Sequence, residues 1–213
     1  MILALLGIIT AYLIGSIPTS YLIGKIKGVD VRKHGSGNVG ATNVLRVMGK
    51  LPALITLIID IGKGAVAVTL IAVLFYQKNA TISFSVLRAL LGLAVIIGHN
   101  WTVFLNFKGG KGVATSIGVF MVIFPVGLLI GLVVWVVTVW FTKYVSLGSI
   151  LLAISIPITA AFSGARLEIV LLAVTSCVII CYKHKGNINR LLLGTENRIG
   201  QKTGDVRISI EKS

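Results

Sequence analysis

The sequence predicts an all-α polytopic membrane protein with seven transmembrane helices, the N-terminus outside and the C-terminus cytoplasmic. Three observations predict it. Of the 213 residues, 56% are hydrophobic and 12% are charged, and the mean hydropathy is +0.99, too apolar for an ordinary soluble domain of that length. Apolar runs reach the roughly 20 residues that a helix needs to cross about 30 Å of hydrocarbon. The Lys and Arg residues are unevenly divided among the segments that join those runs.

The first run, Ile2 to Gly24, is apolar from its start, with neither a basic leader nor a small-residue cleavage site, and reads as a retained helix. Leu51 to Tyr76, Phe84 to Ile97, Val145 to Ser163 and Arg166 to Tyr182 read as four more. The run from Gly112 to Phe141 would make a helix of about 45 Å, too long for one crossing. Pro125-Val126-Gly127 in its middle reads as a turn between two spans.

Seven spans put Lys25, Lys27, Arg32, Lys33, Arg46, Lys50, Lys108, Lys111, Lys143 and everything basic from Lys183 onward on one side, sixteen of the twenty basic residues. Lys78, Arg88 and Arg166 fall on the other side, and Lys63 lies inside an apolar run. Cytoplasmic loops retain Lys and Arg, so the basic side is the cytoplasm; six spans would carry Lys143 or the tail across. Residues 1–194 read as one helical domain and 195–213 as a polar C-terminal tail, in which Asp205 to Ile210 alternates weakly like a strand.

The net charge of +14 belongs, in so apolar a chain, at phosphates of lipid or substrate, not on nucleic acid. Cys177 and Cys181, four apart in an apolar run, read as helix packing and not as a disulfide or zinc pair.

Three polar stretches fall on the predicted cytoplasmic face. His34 to Asn43, followed by Arg46, satisfies G-x-G-x-x-G, but it follows a membrane helix and no βαβ unit, so dinucleotide binding is rejected. What remains are glycines that let a backbone approach an anion, and Ser36, Asn38, Thr42 and Asn43 as neutral donors. Phe107 to Thr115 places Lys108 and Lys111 among Gly109, Gly110 and Gly112 where the next helix opens. It lacks the spacing of a nucleotide P-loop, with Leu105 and Gly112 where glycine and Ser or Thr would stand. Free N–H groups, the helix dipole and the ammonium groups there suit an oxyanion. Tyr182 to Arg190 follows the last span, and helical spacing puts Lys183, Asn187 and Arg190 on one side with His184 adjacent.

Asp60 and Lys63, three apart inside an apolar run, are expected to neutralise each other and to be structural first. His99, with Asn100 and Trp101, reads as a cap or interfacial anchor. Ser146 and Ser149 flank the start of the sixth span, one expected to cap it and the other open to substrate. The six acidic residues are scattered, with no paired-carboxylate site, no G-x-S-x-G elbow, no metal-ligand set and no His followed four residues later by Asp. Many phosphate donors and few proton acceptors point to a phosphorylated substrate. A phosphate or phospho-metabolite transporter is the alternative, although its polar residues would sit nearer the bilayer midplane and its chain would show repeats.

In this order and spacing, GSGNVGATN, NFKGGKGVAT and YKHKGNINRLL resemble the acyl-phosphate-dependent glycerol-3-phosphate acyltransferases of bacteria, the PlsY family. LIGS at Gly15, IDIGKG at Ile59 to Gly64 and GHNW at Gly98 are similar to the family too. The resemblance covers residues 1–194 and implies a seven-helix fold in the cytoplasmic membrane with the active site on the cytoplasmic side. It implies transfer of an acyl group from acyl phosphate to the 1-hydroxyl of glycerol 3-phosphate, the first step of phospholipid synthesis, with no cofactor or metal. The enzyme that makes acyl phosphate becomes a candidate partner. Glycerol 3-phosphate contacts map onto Ser36, Arg46, Lys111, Ser149, His184 and Asn187, and of these Ser36, Lys111, His184 and Asn187 are the expected catalytic group. Acyl-phosphate contacts map onto Gly37, Asn38, Gly40, Thr42, Asn43, Lys108, Gly109, Gly110, Gly112 and Thr115. Asp60, Lys63, His99 and Arg190 are further candidates.

Overall fold

A computed structural model describes residues 1–77 and 82–199; Lys78 and the strand-like Asp205–Ile210 segment lie outside them. The described residues fold into helices joined by short polar turns. The first apolar run forms α1 (Ile2–Ser16) and α2 (Thr19–Ile26). Pro18 donates no backbone hydrogen bond and drives Ile17 out of the helical basin, to φ −57° and ψ 114°. α3 (Ala41–Met48) follows the first polar stretch, and α4 (Lys50–Val66) continues through a wide π-turn, Ala67–Ile71, into α5 (Ala72–Phe75). A carbonyl of that turn, on Val68, accepts from Arg88 Nε at 2.9 Å, which houses a cation inside an apolar segment. Arg88 belongs to α6 (Phe84–Asn100), whose first turn is capped by the Ser83 hydroxyl accepting from Val86 N–H.

The long run divides into α7 (Val113–Ile123) and α8 (Pro125–Thr142). The division falls one residue earlier than the turn expected at Pro125-Val126-Gly127. Pro125 is the first residue of α8, where its missing N–H costs nothing, and Phe124 before it is extended at φ −147°. α9 (Val145–Phe162), α10 (Leu167–Lys183) and α11 (Lys185–Leu192) complete the chain, with a 60° bend between the last two. Among the described residues five helical segments are long and apolar enough to cross a membrane, or six if α10 and α11 form one broken span. α7 is apolar but shorter than a full crossing requires.

In a bilayer, helices associate through close packing, and small residues set how close. A Cβ on Gly118 of α7 would lie 1.9 Å from the Ile61 carbonyl of α4, and one on Gly64 of α4 would lie 2.2 Å from the Thr115 carbonyl of α7. α1 and α6 meet in the same way at Gly15 and Gly98. The buried interior runs through Leu91, Val119, Phe120, Leu152 and Leu172. Leu129, Val133, Val136 and Trp140 form an exposed apolar stripe along α8, the face a lipid tail would cover.

Candidate active site

A cavity of about 470 Å³ lies among α3, α4, α7, α8 and α9. Its polar end is lined by Ser36, Arg46, Lys111, Ser149, His184 and Asn187, all six of the residues expected to hold glycerol 3-phosphate. Its flank is apolar, with Leu57 and Ile61 of α4, Ile117 and Met121 of α7, and Leu132 and Trp135 of α8.

The polar end is built by segments far apart in sequence. The 28–40 loop is folded around Asn43, which is 2% exposed. Asn43 Nδ2 donates to the carbonyls of Val31 and His34 at 3.0 and 3.1 Å, and Oδ1 accepts from Ser36 N–H at 2.8 Å. Asn38 Oδ1 accepts from Gly40 N–H at 2.9 Å. Both amide oxygens therefore shape the loop that presents Ser36, a use that the motif alone does not reveal. Arg46 reaches the cavity from the last turn of α3, and partial desolvation lowers its pKa from the ordinary value while leaving it a cation.

The glycines before α7 divide in the same way. Gly109 N–H donates to the Asn100 carbonyl at 3.2 Å and Gly110 N–H to the His99 carbonyl at 3.0 Å. Lys111, Gly112 and Val113 line the cavity. Of the ten positions expected to meet acyl phosphate, Asn38, Gly40, Thr42, Asn43 and Gly112 line it, whereas Gly37, Lys108, Gly109, Gly110 and Thr115 do not. Thr115 is fully buried, with its carbonyl against Gly64 of α4.

Lys111 Nζ donates to Asn187 Oδ1. Burial lowers the Lys111 pKa to about 8, with Glu196 acting to raise it and Arg190, Arg46 and Lys183 to lower it. Burial and then the charge of Lys111 push His184 down to about 4, so its imidazole is neutral near pH 7. Its Nδ1 lies 2.8 Å from the Ile180 carbonyl; a carbonyl only accepts, so Nδ1 holds the hydrogen and Nε2 is the acceptor.

Three expectations are corrected. Lys183 does not join Asn187 and Arg190, because α10 ends at Lys183 and the chain bends at His184; its Nζ donates to the Asn100 carbonyl at 2.8 Å. Neither Ser146 nor Ser149 caps α9. The cap position is Tyr144, Ser149 donates to the Val145 carbonyl, and Ser146 donates to Glu196 Oε1 at 2.8 Å. His99 is likewise buried and paired with Lys63, not an interfacial anchor.

Glu196 is the residue that sequence reasoning missed. It follows the last predicted span in a tail read as peripheral, yet it is 6% exposed and gathers Asn187 Nδ2, Ser146 Oγ and Arg190 Nε within 2.8 Å. Burial alone would raise its carboxyl, but these hydrogen bonds from Asn187, Ser146 and Arg190 outweigh it and hold the pKa below the ordinary value. Its only signal in the sequence was a lone acid six residues after Arg190.

A glycerol-3-phosphate acyltransferase family model matches residues 5–194. A glycerol-3-phosphate acyltransferase of Shouchella clausii is 44% identical over 95% of this chain and 99% of its own length. One from Desulforamulus reducens is 47% identical over 92% and 94%. The crystal structure of PlsY (YgiH), an integral membrane glycerol 3-phosphate acyltransferase, in its glycerol 3-phosphate form superposes with a TM-score of 0.85 at 41% identity, covering 92% of this chain and 96% of that one. Its lysophosphatidic acid form superposes at 0.82. With its apolar helices, its cation-lined cavity and this similarity along nearly its whole length, the chain belongs to the glycerol-3-phosphate acyltransferase family.

Proposed function

We infer that the cavity brings an acyl phosphate against glycerol 3-phosphate and transfers the acyl group to the 1-hydroxyl, releasing lysophosphatidic acid and inorganic phosphate. The observation that carries this reading is one cavity with cations at one end and an apolar flank along α4, α7 and α8. An amphiphilic donor with a charged head and a long tail requires both.

Lys111 and the unpaired N–H groups opening α7 hold the donor's phosphate and stabilise the carbonyl oxygen as the carbon becomes tetrahedral. Arg46 takes the acceptor's phosphate, for which its planar fork is suited. Asn187, fixed by Glu196, keeps Lys111 in the cavity. His184 Nε2 accepts from a glycerol hydroxyl and orients it. A histidine with a pKa of about 4 is a weak base, so the hydroxyl proton passes instead to an oxygen of the departing phosphate. The acceptor oxygen–carbon bond forms, the carbon–oxygen bond of the mixed anhydride breaks, and the phosphate leaves protonated. Positioning and electrostatics supply the catalysis.

Seven passes suit this chemistry. Lys111 before α7 and Ser146 after α8 line one cavity, which supports an even number of crossings between them; α8 is long enough to cross, and α7, although short, is read as the other. The concentration of basic residues in the loops around the cavity argues for a cytoplasmic site, an outside N-terminus and a cytoplasmic-membrane location. An N-terminal epitope digested by protease added outside intact cells fits this orientation; one digested only after lysis contradicts it. Acyl phosphate then arrives from the cytoplasmic side, where the enzyme that makes it is a natural partner.

Purified protein in lipid, given palmitoyl phosphate and glycerol 3-phosphate, is expected to release inorganic phosphate and lysophosphatidic acid in equal amounts. Phosphate release without acylated product would contradict the assignment.

A further inference from the structure

Asp60 and His99 line the cavity, and with Lys63 behind them they have no part in the substrate contacts above. Asp60 and Lys63 lie one turn apart on α4, His99 lies near the end of α6, and all three are less than a tenth exposed. Asp60 Oδ1 is 2.9 Å from Lys63 Nζ and accepts from the Thr19 hydroxyl at 3.0 Å. Lys63 Nζ is 2.8 Å from His99 Nδ1. With Asp60 holding the lysine as an ammonium, which only donates, Nδ1 accepts and the imidazole hydrogen is fixed on Nε2.

That ring nitrogen faces the glycine loop. A Cβ on Gly110 would lie 2.1 Å from His99 Nε2 and 2.8 Å from Cε1, so the imidazole occupies the space a side chain there would need. The backbone carbonyl of the same histidine accepts from Gly110 N–H at 3.0 Å. His99 therefore grips Gly110 twice, by its ring and by its carbonyl, immediately before Lys111. Charged groups so deep in an apolar helix pair are costly to place, and packing alone would be served by apolar side chains of similar size.

We propose that Asp60, Lys63 and His99 form a positioning unit: the ion pair fixes the plane of the His99 ring, and the ring seats Gly110 so that Lys111 and the start of α7 face the donor's phosphate. Asp60 and His99 reach the cavity lining, but the unit acts through the loop. It rests on the reading that this loop holds acyl phosphate, and it predicts a defect in donor use that leaves acceptor binding alone.

The test measures KM for palmitoyl phosphate and for glycerol 3-phosphate separately, in lipid, for the wild type, His99→Asn, Gly110→Ala and the double variant. Asn places an amide oxygen where Nδ1 was, so Lys63 keeps its acceptor while the outer half of the ring is removed. Gly110→Ala is expected to raise the palmitoyl phosphate KM at least about tenfold, with the glycerol 3-phosphate KM within about twofold, the signature of an interaction specific to one substrate. His99→Asn clears the space, so the double variant is expected to use donor better than Gly110→Ala alone, a non-additivity that only touching residues show. A double variant as poor as the two single effects combined, or equal shifts in both KM values, overturns the positioning role. So does failure of either single variant to fold, since the ring would then serve packing alone. If the wild type makes no product from palmitoyl phosphate but does from another donor, the donor assignment itself is wrong and the inference falls with it.

Discussion

Lys111 is a partly buried ammonium with a hydrogen-bond partner on one side and open cavity on the other. Removing one preorganised charge donor from such a site costs about 10²–10³ in kcat, and Lys111→Ala is expected to lose at least that in a steady-state assay. Its pKa of about 8 adds a pH signature: the charge is present below that value and lost above it, so donor use falls as pH rises through about 8. His184 tests the route of the proton. His184→Gln keeps an acceptor near Nε2 and is expected to retain turnover within about tenfold, whereas a general base contributes about 10²–10⁴; a loss in that upper range would restore the histidine as base. Glu196→Ala leaves the donors of Asn187, Ser146 and Arg190 without their acceptor, and each unsatisfied buried polar group costs about 1–3 kcal/mol. It is expected to lower the thermal unfolding temperature and abolish transfer, with Glu196→Gln intermediate because an amide oxygen still accepts. The six residues at the cavity's polar end were legible as candidates because five of them sit in or beside polar stretches that abut apolar runs, and Ser149 lies near the start of one. Glu196 was not, because its importance arises from a chain reversal after α11 that leaves no periodic or compositional trace.

At the scale of elements, the apolar runs located the helices to within a few residues, and Pro125 marked the division of the longest. Sequence did not show that Pro18 divides the first run. Nor did it show the bend at His184 that turns Lys183 away from Asn187 while α11 presents Asn187 and Arg190 to Glu196. Helical periodicity assumes that a helix continues, and a bend at a histidine has no strong propensity signal. The spacing between α4 and α7 was also hidden, since a glycine's reason for being there is the backbone opposite it. Gly118→Ala places a methyl group 1.9 Å from the Ile61 carbonyl, and forcing such a contact costs about 1–3 kcal/mol. The variant is expected to unfold at lower temperature and to lose turnover, because Lys111 lies just before α7. Unchanged thermal unfolding would show that α4 and α7 do not meet as closely as described.

Across the whole molecule, one arrangement explains the composition, the charge bias and the cavity together. Apolar helices hold a site to which loops from the first, middle and last thirds of the chain contribute, and the basic residues concentrate in the loops around it. The fold class was readable because a bilayer permits few solutions to the backbone hydrogen-bonding problem. Candidates for the site were readable because phosphate recognition reuses glycines, lysines and helix starts. The central claim is that the cationic end and apolar flank together accept an acyl phosphate, and a donor comparison tests it most directly. Purified protein in lipid is given labelled glycerol 3-phosphate with palmitoyl phosphate, palmitoyl-CoA or the acyl carrier protein thioester. Labelled lysophosphatidic acid from palmitoyl phosphate alone, lost in Lys111→Ala, is the predicted result; equal transfer from a thioester, or transfer that survives Lys111→Ala, would contradict it.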